Sequence, residues 1–495
     1  MTAMDDRARP RRWPIAIAAV AGAVVALNLL GAAPTLAKRS KAPSFSREVV
    51  PILANRCTSC HQLGGIAPFS LQSAAAAHLE ASAIGQAVST RRMPPWPPGR
   101  ASPALVGSDL RTLTPRERDV LVRWALAGGP VDRAVRVGRP APADETPLPG
   151  ETGRSLQLPS RYTPVETGGA TDDYHCFLLD PQLDADVYVT SARIDPGARS
   201  EVHHVILFKV PPSQVAEAEQ LDARTPEEGW SCFGGTGLDI SQGGGVKGAL
   251  DALDDAPWLA AWAPGAAGNR LPAGLGIPLA KGSRIVMQVH YNLLNGDRPD
   301  RSSAVLTTVP AAAGPLTPVE AMLLPAPIEL PCPAAARGPL CRRTAAIDGV
   351  VKKYGAQAAY TVAGLDLLCG RDAANPTAGP TTTCDRRIDR PTTILGVGGH
   401  MHLLGRSIRV ELNPGRSDAR VLLDIPRWNF HWQGLYRLVQ PVSAQPGDVV
   451  RVTCRHDQAL RKTAGHGVPR TPRYVVWGEG TTDEMCLAVL QVVRS

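Results

Sequence analysis

At 495 residues the chain is too long for one core, and two to four domains are expected. Aromatics make up only 5%, while glycine (47) and proline (46) are frequent, which favours short strands joined by turns over a helical bundle. The net charge of +8 does not describe a basic protein: residues 1–41 hold seven Lys and Arg against two Asp, so +3 is left for the remainder. No basic patch is interleaved with aromatics, and nucleic acid is not an expected partner.

The N-terminus accounts for that charge. Arg7 to Arg12 is a basic flank, Ile15 to Ala33 an apolar run, and Thr35-Leu36-Ala37 ends in a candidate cleavage site. Residues 1–37 read as a signal peptide or an N-terminal membrane anchor; the basic flank stays inside, and the rest is exported to the periplasm or outside the cell. Membrane contact is expected only through this segment. In an oxidising compartment the cysteines should be accounted for in pairs.

Residues 42–137 hold Cys57-Thr-Ser-Cys60-His61, the C-x-x-C-H spacing that attaches a c-type haem. Cys57 and Cys60 supply the thioethers and His61 the proximal ligand. Met93 is the expected sixth ligand, with His78 as competitor. Ser46 is expected to cap a helix running into Cys57, and Ser73 to open an Ala-rich helix reaching Arg92. Thr114-Pro115-Arg116-Glu117 is a capping box opening a helix that buries Val120, Leu121 and Trp124 and stops at Gly128-Gly129. The pattern is that of a small α-helical cytochrome c domain. Residues 138–158, with four prolines, read as a semi-stiff linker.

Residues 159–311 contain Val202-His203-His204 running into an apolar strand, and a second apolar strand, Ile285 to Asn292, bearing His290. Adjacent strand residues face opposite sides, so a metal shared by His203 and His204 requires a bulge or a strand end. Three imidazoles suit copper or zinc. Cys176 with Cys232 would tie the strand before His203 to the loop after it, and His175 is expected on the surface.

Residues 312–495 contain His400 and His402 at i and i+2 of a strand, which places both imidazoles on one face. Met485 and Cys486 precede the apolar strand Leu-Ala-Val-Leu-Gln-Val. Two imidazoles with a thioether favour copper, because soft sulfur stabilises Cu(I). Cys454 with Cys486 would fix the Met485 strand. Ala345 to Tyr354 and Ala358 to Leu368 read as a helical hairpin. Of the three pairings open to its four cysteines, the expected one joins Cys341 to Cys369 at the open end and Cys332 to Cys384.

His203-His204, Gln288-Val-His290-Tyr, His400-x-His402 and Asp483-Glu-Met485-Cys486 together resemble the type II copper, ascorbate-dependent monooxygenases, in the order in which that family carries them. The resemblance spans roughly residues 170–490. It implies a mainly β protein with two jelly-roll-like sandwich domains, 159–311 and 312–495. It further implies two copper ions. His203, His204 and His290 would hold the one that stores an electron; His400, His402 and Met485 would hold the one at which O2 is activated and a C–H bond hydroxylated. Electrons would come from ascorbate or a redox protein, and the haem at His61 and Met93 would pass them in, replacing or supplementing ascorbate. The resemblance stops at the substrate anchor. The Arg that the peptide-amidating members place two residues before His-x-His is Gly398 here, and their Asn and Tyr after the ligand Met are Leu487 and Val489. A small, uncharged substrate is expected rather than a glycine-extended peptide. Trp428, His431 and Trp432 are weighed as pocket or core residues. The alternative reading is a periplasmic electron-transfer or copper-binding protein without catalysis, for which a single metal set would suffice.

Overall fold

The computed structural model describes residues 41–495 except 66, 139–146, 167–171, 226–227, 233–234, 239–252, 265–269, 294–295 and 464–467. The leader read over residues 1–37 and residues 139–146 of the Pro-rich stretch lie outside them. No described helix is long and apolar enough to cross a membrane.

The protein is mainly β, with paired sheets. In the first half, the apolar strands Val202–Val210 and Arg284–Asn292 sit side by side in a five-stranded sheet, ordered Trp230–Ser231, Asp172–Leu179, Arg284–Asn292, Val202–Val210, Trp258–Trp262. A second five-stranded sheet is built from Thr152–Gln157, Ser303–Pro310, Val187–Asp195, Leu275–Leu279 and Thr317–Pro318. Side chains from both, among them Leu156, Val187, Leu306, Leu207, Ile285 and Met287, share one core. The other face of the histidine-bearing sheet packs a smaller cluster around Cys176, Cys232, Trp230 and Ala218 of the helix Val215–Asp222. Covered on both faces, Arg284–Asn292 reads as a continuous apolar run, not an alternation. The strand Thr152–Gln157 is paired along its length with Ser303–Pro310. The last part of the stretch expected to be linker is therefore an edge strand of the sandwich.

The second half repeats the plan with two four-stranded antiparallel sheets. One runs Glu320–Pro325, Cys486–Arg494, Thr392–Met401, Gly434–Ala444; the other runs Thr381–Arg387, Val449–His456, Gly405–Leu412, Arg420–Ile425. Their apolar faces (Met322, Val397, Ile408, Val452, Leu490) form the largest core. The helical hairpin is present as Arg343–Tyr354 and Gln357–Leu368.

Two of the four disulfides are those expected, Cys176–Cys232 and Cys454–Cys486. The hairpin's cysteines are paired otherwise: Cys332 with Cys341, and Cys369 with Cys384. Each foot of the hairpin is stapled to the chain leading into or out of it, closing spans of 9 and 15 residues, and short closures cost the least entropy. The expected Cys341–Cys369 and Cys332–Cys384 pairs do not form. Four disulfides fit an oxidising, extracytoplasmic compartment.

The helices of residues 42–137 pack around Phe45, Leu53, Leu121 and Trp124. The capping box at Thr114 and Glu117 is formed from both sides, and Pro115–Leu126 buries Val120, Leu121 and Trp124. The first cap is Ser44, not Ser46: its hydroxyl accepts from Arg47 N–H, while Ser46 is turned to Asp132. The Ala-rich helix breaks at Glu80 into Ala74–Leu79 and Ala81–Ser89.

This region is not a separate body, for Ala42–Ser495 forms one unit. Residues 96–106 lie along the second half. Gly99 N–H donates to Asp424 O (2.7 Å), Val106 N–H to Arg437 O (2.8 Å), and Val439 N–H to Ala104 O (3.0 Å). Trp96 meets Tyr436 edge-on, with ring centroids 5.5 Å apart. Leu105 is buried in the second half's core, a contact that contributes about 2 kcal/mol. A Pro-rich segment with free backbone donors has covered the open edge of a sheet.

Candidate metal centre

The strand Val202–Val210 slips register against Arg284–Asn292 between Val202 and His204. His203 is the extra residue of that bulge, and His204 pairs directly with His290. The bulge is what lets two consecutive histidines serve one site. His203 Nδ1 lies 3.3 Å and His290 Nδ1 3.2 Å from His204 Nδ1. Nitrogens about 2.0 Å from a common ion at tetrahedral angles stand about 3.3 Å apart. Among the described residues these three form the cluster with metal-ligand geometry.

The tautomers agree with that geometry. His290 donates Nε2–H to Asp172 Oδ1 at 2.9 Å, which leaves the Nδ1 lone pair for a metal. Tyr174 stacks on the His290 ring, 4.0 Å away and 8° from parallel. Burial holds the pKa of His203 and His204 well below the usual imidazole range, reinforced by His290 in both cases. Neutral imidazole is the form that ligates.

His400 is the penultimate residue of the strand Thr392–Met401, and His402 follows the strand; their ring centroids are 5.0 Å apart. His400 donates Nδ1–H to Gln433 Oε1 at 2.6 Å, leaving Nε2 free. The acceptor role is set because Gln433 spends its amide N–H on Phe430 O. Burial brings the His400 pKa down to about 4, against the raising effect of Gln433 and with a further lowering from His290. His402 is held well below its ordinary range by burial and by His400, and its Nδ1 is buried with no hydrogen-bond partner. Met401 pairs with Cys486 at the end of the ladder, and His402 and Met485 are the residues that flank this last pair in the chain. Met485 is buried, and its strand is anchored by Cys486 to Cys454.

The two sets lie against each other: the His204 and His400 centroids are 6.5 Å apart. Phe430 stacks on His203 at 4.4 Å and meets His402 edge-on at 5.9 Å. Of the residues weighed as pocket or core, His431 stands 5.7 Å from His203, and Trp428 donates its indole N–H to His402 O. Tyr174, Phe430, Gln433, His456 and Thr481 carry no local sequence signal for the roles they take here. Asp172 and Glu484 had one faint mark, a carboxylate next to a candidate metal-binding strand. His175, expected on the surface, is buried; its ring stacks on Tyr162 and its Nε2–H donates to Glu228 O.

In the helical region, Cys57 and Cys60 are free, half-buried thiols on the turn after the helix Val50–Arg56. Burial pushes the Cys57 thiol up to about 12 and raises Cys60. His61 N–H donates to Cys57 O, and its ring Nδ1–H donates to Phe69 O at 3.2 Å, which leaves Nε2 as the ligating nitrogen. The donor set thus fits a c-type haem. Met93 is half-buried in the segment after the helix Ala81–Ser89, its N–H bonded to Ala87 O. His78 is turned out, with Nδ1–H on Gly129 O.

No curated protein matches the chain. Among solved structures it is similar to the major capsid protein P2 of bacteriophage PM2, at 8% identity over 69% of this chain and 97% of that one with a TM-score of 0.24. It is also similar to the infectious bursal disease virus VP2 subviral particle, at 7% identity over 70% and 72% with a TM-score of 0.16. Likeness at that level says nothing about chemistry. The residues that carry His400, His402 and Met485 do: residues 374–491 match the family model of the copper type II ascorbate-dependent monooxygenase, C-terminal domain, and so support that family for this chain.

Proposed function

We propose that the chain is an exported, haem- and copper-dependent monooxygenase that hydroxylates a C–H bond of a small, uncharged substrate. One oxygen atom of O2 enters the product and the other leaves as water, which consumes two electrons and two protons. The observation that carries the reading is the pair of histidine sets in contact, one of them on the stretch that matches the family model.

Copper, when bound, supplies the one-electron steps and the activation of O2. His203, His204 and His290 would hold one ion, and His400, His402 and Met485 the other. Burial keeps His203, His204, His400 and His402 neutral, and Asp172 and Gln433 fix which nitrogen of His290 and His400 faces the metal. Phe430 packs between the sets and excludes water from them. Cys57, Cys60, His61 and Met93 would hold the haem, which would serve as the electron entry; ascorbate or a redox protein would supply it. At the position of the family's carboxylate anchor stands Gly398, where an added Cβ would lie 3.2 Å from Gly434 O and 3.6 Å from Leu435. Val489 pairs with Gly398 and Leu487 with His400 across the sheet, so these three positions offer no cation to an anionic substrate, and a small apolar one is favoured.

The test is stopped-flow oxidation of the reduced, haem-loaded protein by O2, with and without copper, followed by 18O incorporation into a panel of small apolar substrates. Copper-dependent haem oxidation that is lost in Met485→Ala, with 18O in a product, is the expected result. Oxidation indifferent to copper and to Met485 would make the haem a separate function and remove the reading.

A further inference from the structure

Asp172 opens the strand Asp172–Leu179 and is buried at 2% exposure. Its Oδ1 accepts two hydrogen bonds. One is from His290 Nε2–H at 2.9 Å; the other is from the Thr481 hydroxyl at 3.0 Å. Thr481 comes from the other half of the protein, 309 residues away. It too is buried, and it also meets the hydroxyl of Tyr174, the residue stacked on His290.

Thr481 belongs to the loop that delivers Met485, and the rest of that loop is held as firmly. The Asp483 carboxylate receives Lys353 Nζ at 2.9 Å and the Tyr354 hydroxyl, both from the helical hairpin. Glu484, fully buried, accepts the backbone N–H groups of His402 and Leu404. A short run of anchored chain therefore links the carboxylate that orients His290 to the residue that would supply the thioether. Proximity alone works the other way: two cations held by ligand rings 6.5 Å apart repel each other.

We propose that Thr481 is a positioning residue that couples the two metal sets. It holds the Met485 loop against the Asp172–His290 pair, so that filling either set favours filling the other. This rests on the ligand assignment given above. A carboxylate on the far nitrogen of a ligating imidazole orients the ring and strengthens its donation, and anything that steadies that carboxylate is felt at the metal. Because coupling between binding sites is reciprocal, the loop that supports His290 is in turn ordered by it.

The experiment is anaerobic titration of the full-length protein with Cu(I) against a chromophoric chelator, with copper K-edge EXAFS of the loaded forms. Wild type, Thr481→Val and Thr481→Ser are compared; Thr481→Ala replaces the valine variant should the latter not fold. The expected result is two Cu(I) bound by all three. In Thr481→Val the weaker of the two affinities falls by about tenfold, the worth of one hydrogen bond to a buried carboxylate, and the Cu–S scattering shrinks. Thr481→Ser regains both. A valine variant that titrates as wild type with undiminished sulfur scattering overturns the proposal, as does a serine variant that behaves like valine. Wild type that binds fewer than two Cu(I), or shows no sulfur, removes the ligand assignment itself, and is told apart because it needs no variant.

Discussion

Glu484 accepts the backbone N–H of His402 at 3.1 Å, from a carboxylate with no exposure to solvent. Its other oxygen takes Leu404 N–H, and His456 Nε2 stands 3.2 Å away. One buried group thus ties the turn carrying His402 to the strand that begins after Met485. Glu484→Ala would strand two backbone donors in the core, while His456 keeps its Nε2 contact with Met485 O. A loss of about 3–5 kcal/mol is expected in urea unfolding of the metal-free protein, and Glu484→Gln, which keeps an acceptor, should recover part of it.

Gln433 sets the tautomer of His400. Gln433→Leu removes the acceptor for Nδ1–H and frees the ring to turn. A 10–100-fold weaker second copper is expected in chelator competition, with the protein still folded in a single urea transition. Equal copper affinity in the leucine variant would show that the ring is held by its packing alone.

The buried histidines make the metal-free protein acid-sensitive. His400 titrates at about 4 in the folded chain against an ordinary value of 6.5, so the unfolded chain binds protons first as pH falls. The sign is therefore loss of stability on acidification. Nothing is lost above pH 6.5, and the cost grows from there to pH 4, approaching about 3 kcal/mol for His400 alone. His203, His204 and His402 shift in the same direction. Thermal unfolding from pH 8 to pH 4 should show the decline, and copper should reduce it near neutrality.

Residues 96–106 make the helical region part of the second half's core. Leu105→Ala should cost about 2–4 kcal/mol, and the helical region and the β core should lose structure together in one urea transition. A separate, unshifted transition of the helical region would show that the segment is only laid against the sheet. For the same reason, removing residues 42–137 would damage the β fold, and the role of the haem is better tested by point variants at His61.

The cysteine connectivity is open to direct check. Digestion without reduction should release peptides joined through Cys332–Cys341 and Cys369–Cys384. A Cys341–Cys369 peptide would exclude that connectivity.

What could be read in the chain was local. The i, i+2 spacing of His400 and His402, the capping box at Thr114 and the helical hairpin each depend on residues within a few positions, where backbone geometry alone sets the outcome. The need for a bulge at His203 was also legible, since adjacent strand residues face apart; that the bulge exists is a fact of pairing with Arg284–Asn292. Tertiary structure alone decided the rest. It paired Cys332 with Cys341, turned His175 inward, laid residues 96–106 along a sheet edge and brought Thr481 to Asp172. None of these has a signature in sequence, because a buried polar group takes its partner from whatever the packed sheets bring within 3 Å, at any distance along the chain.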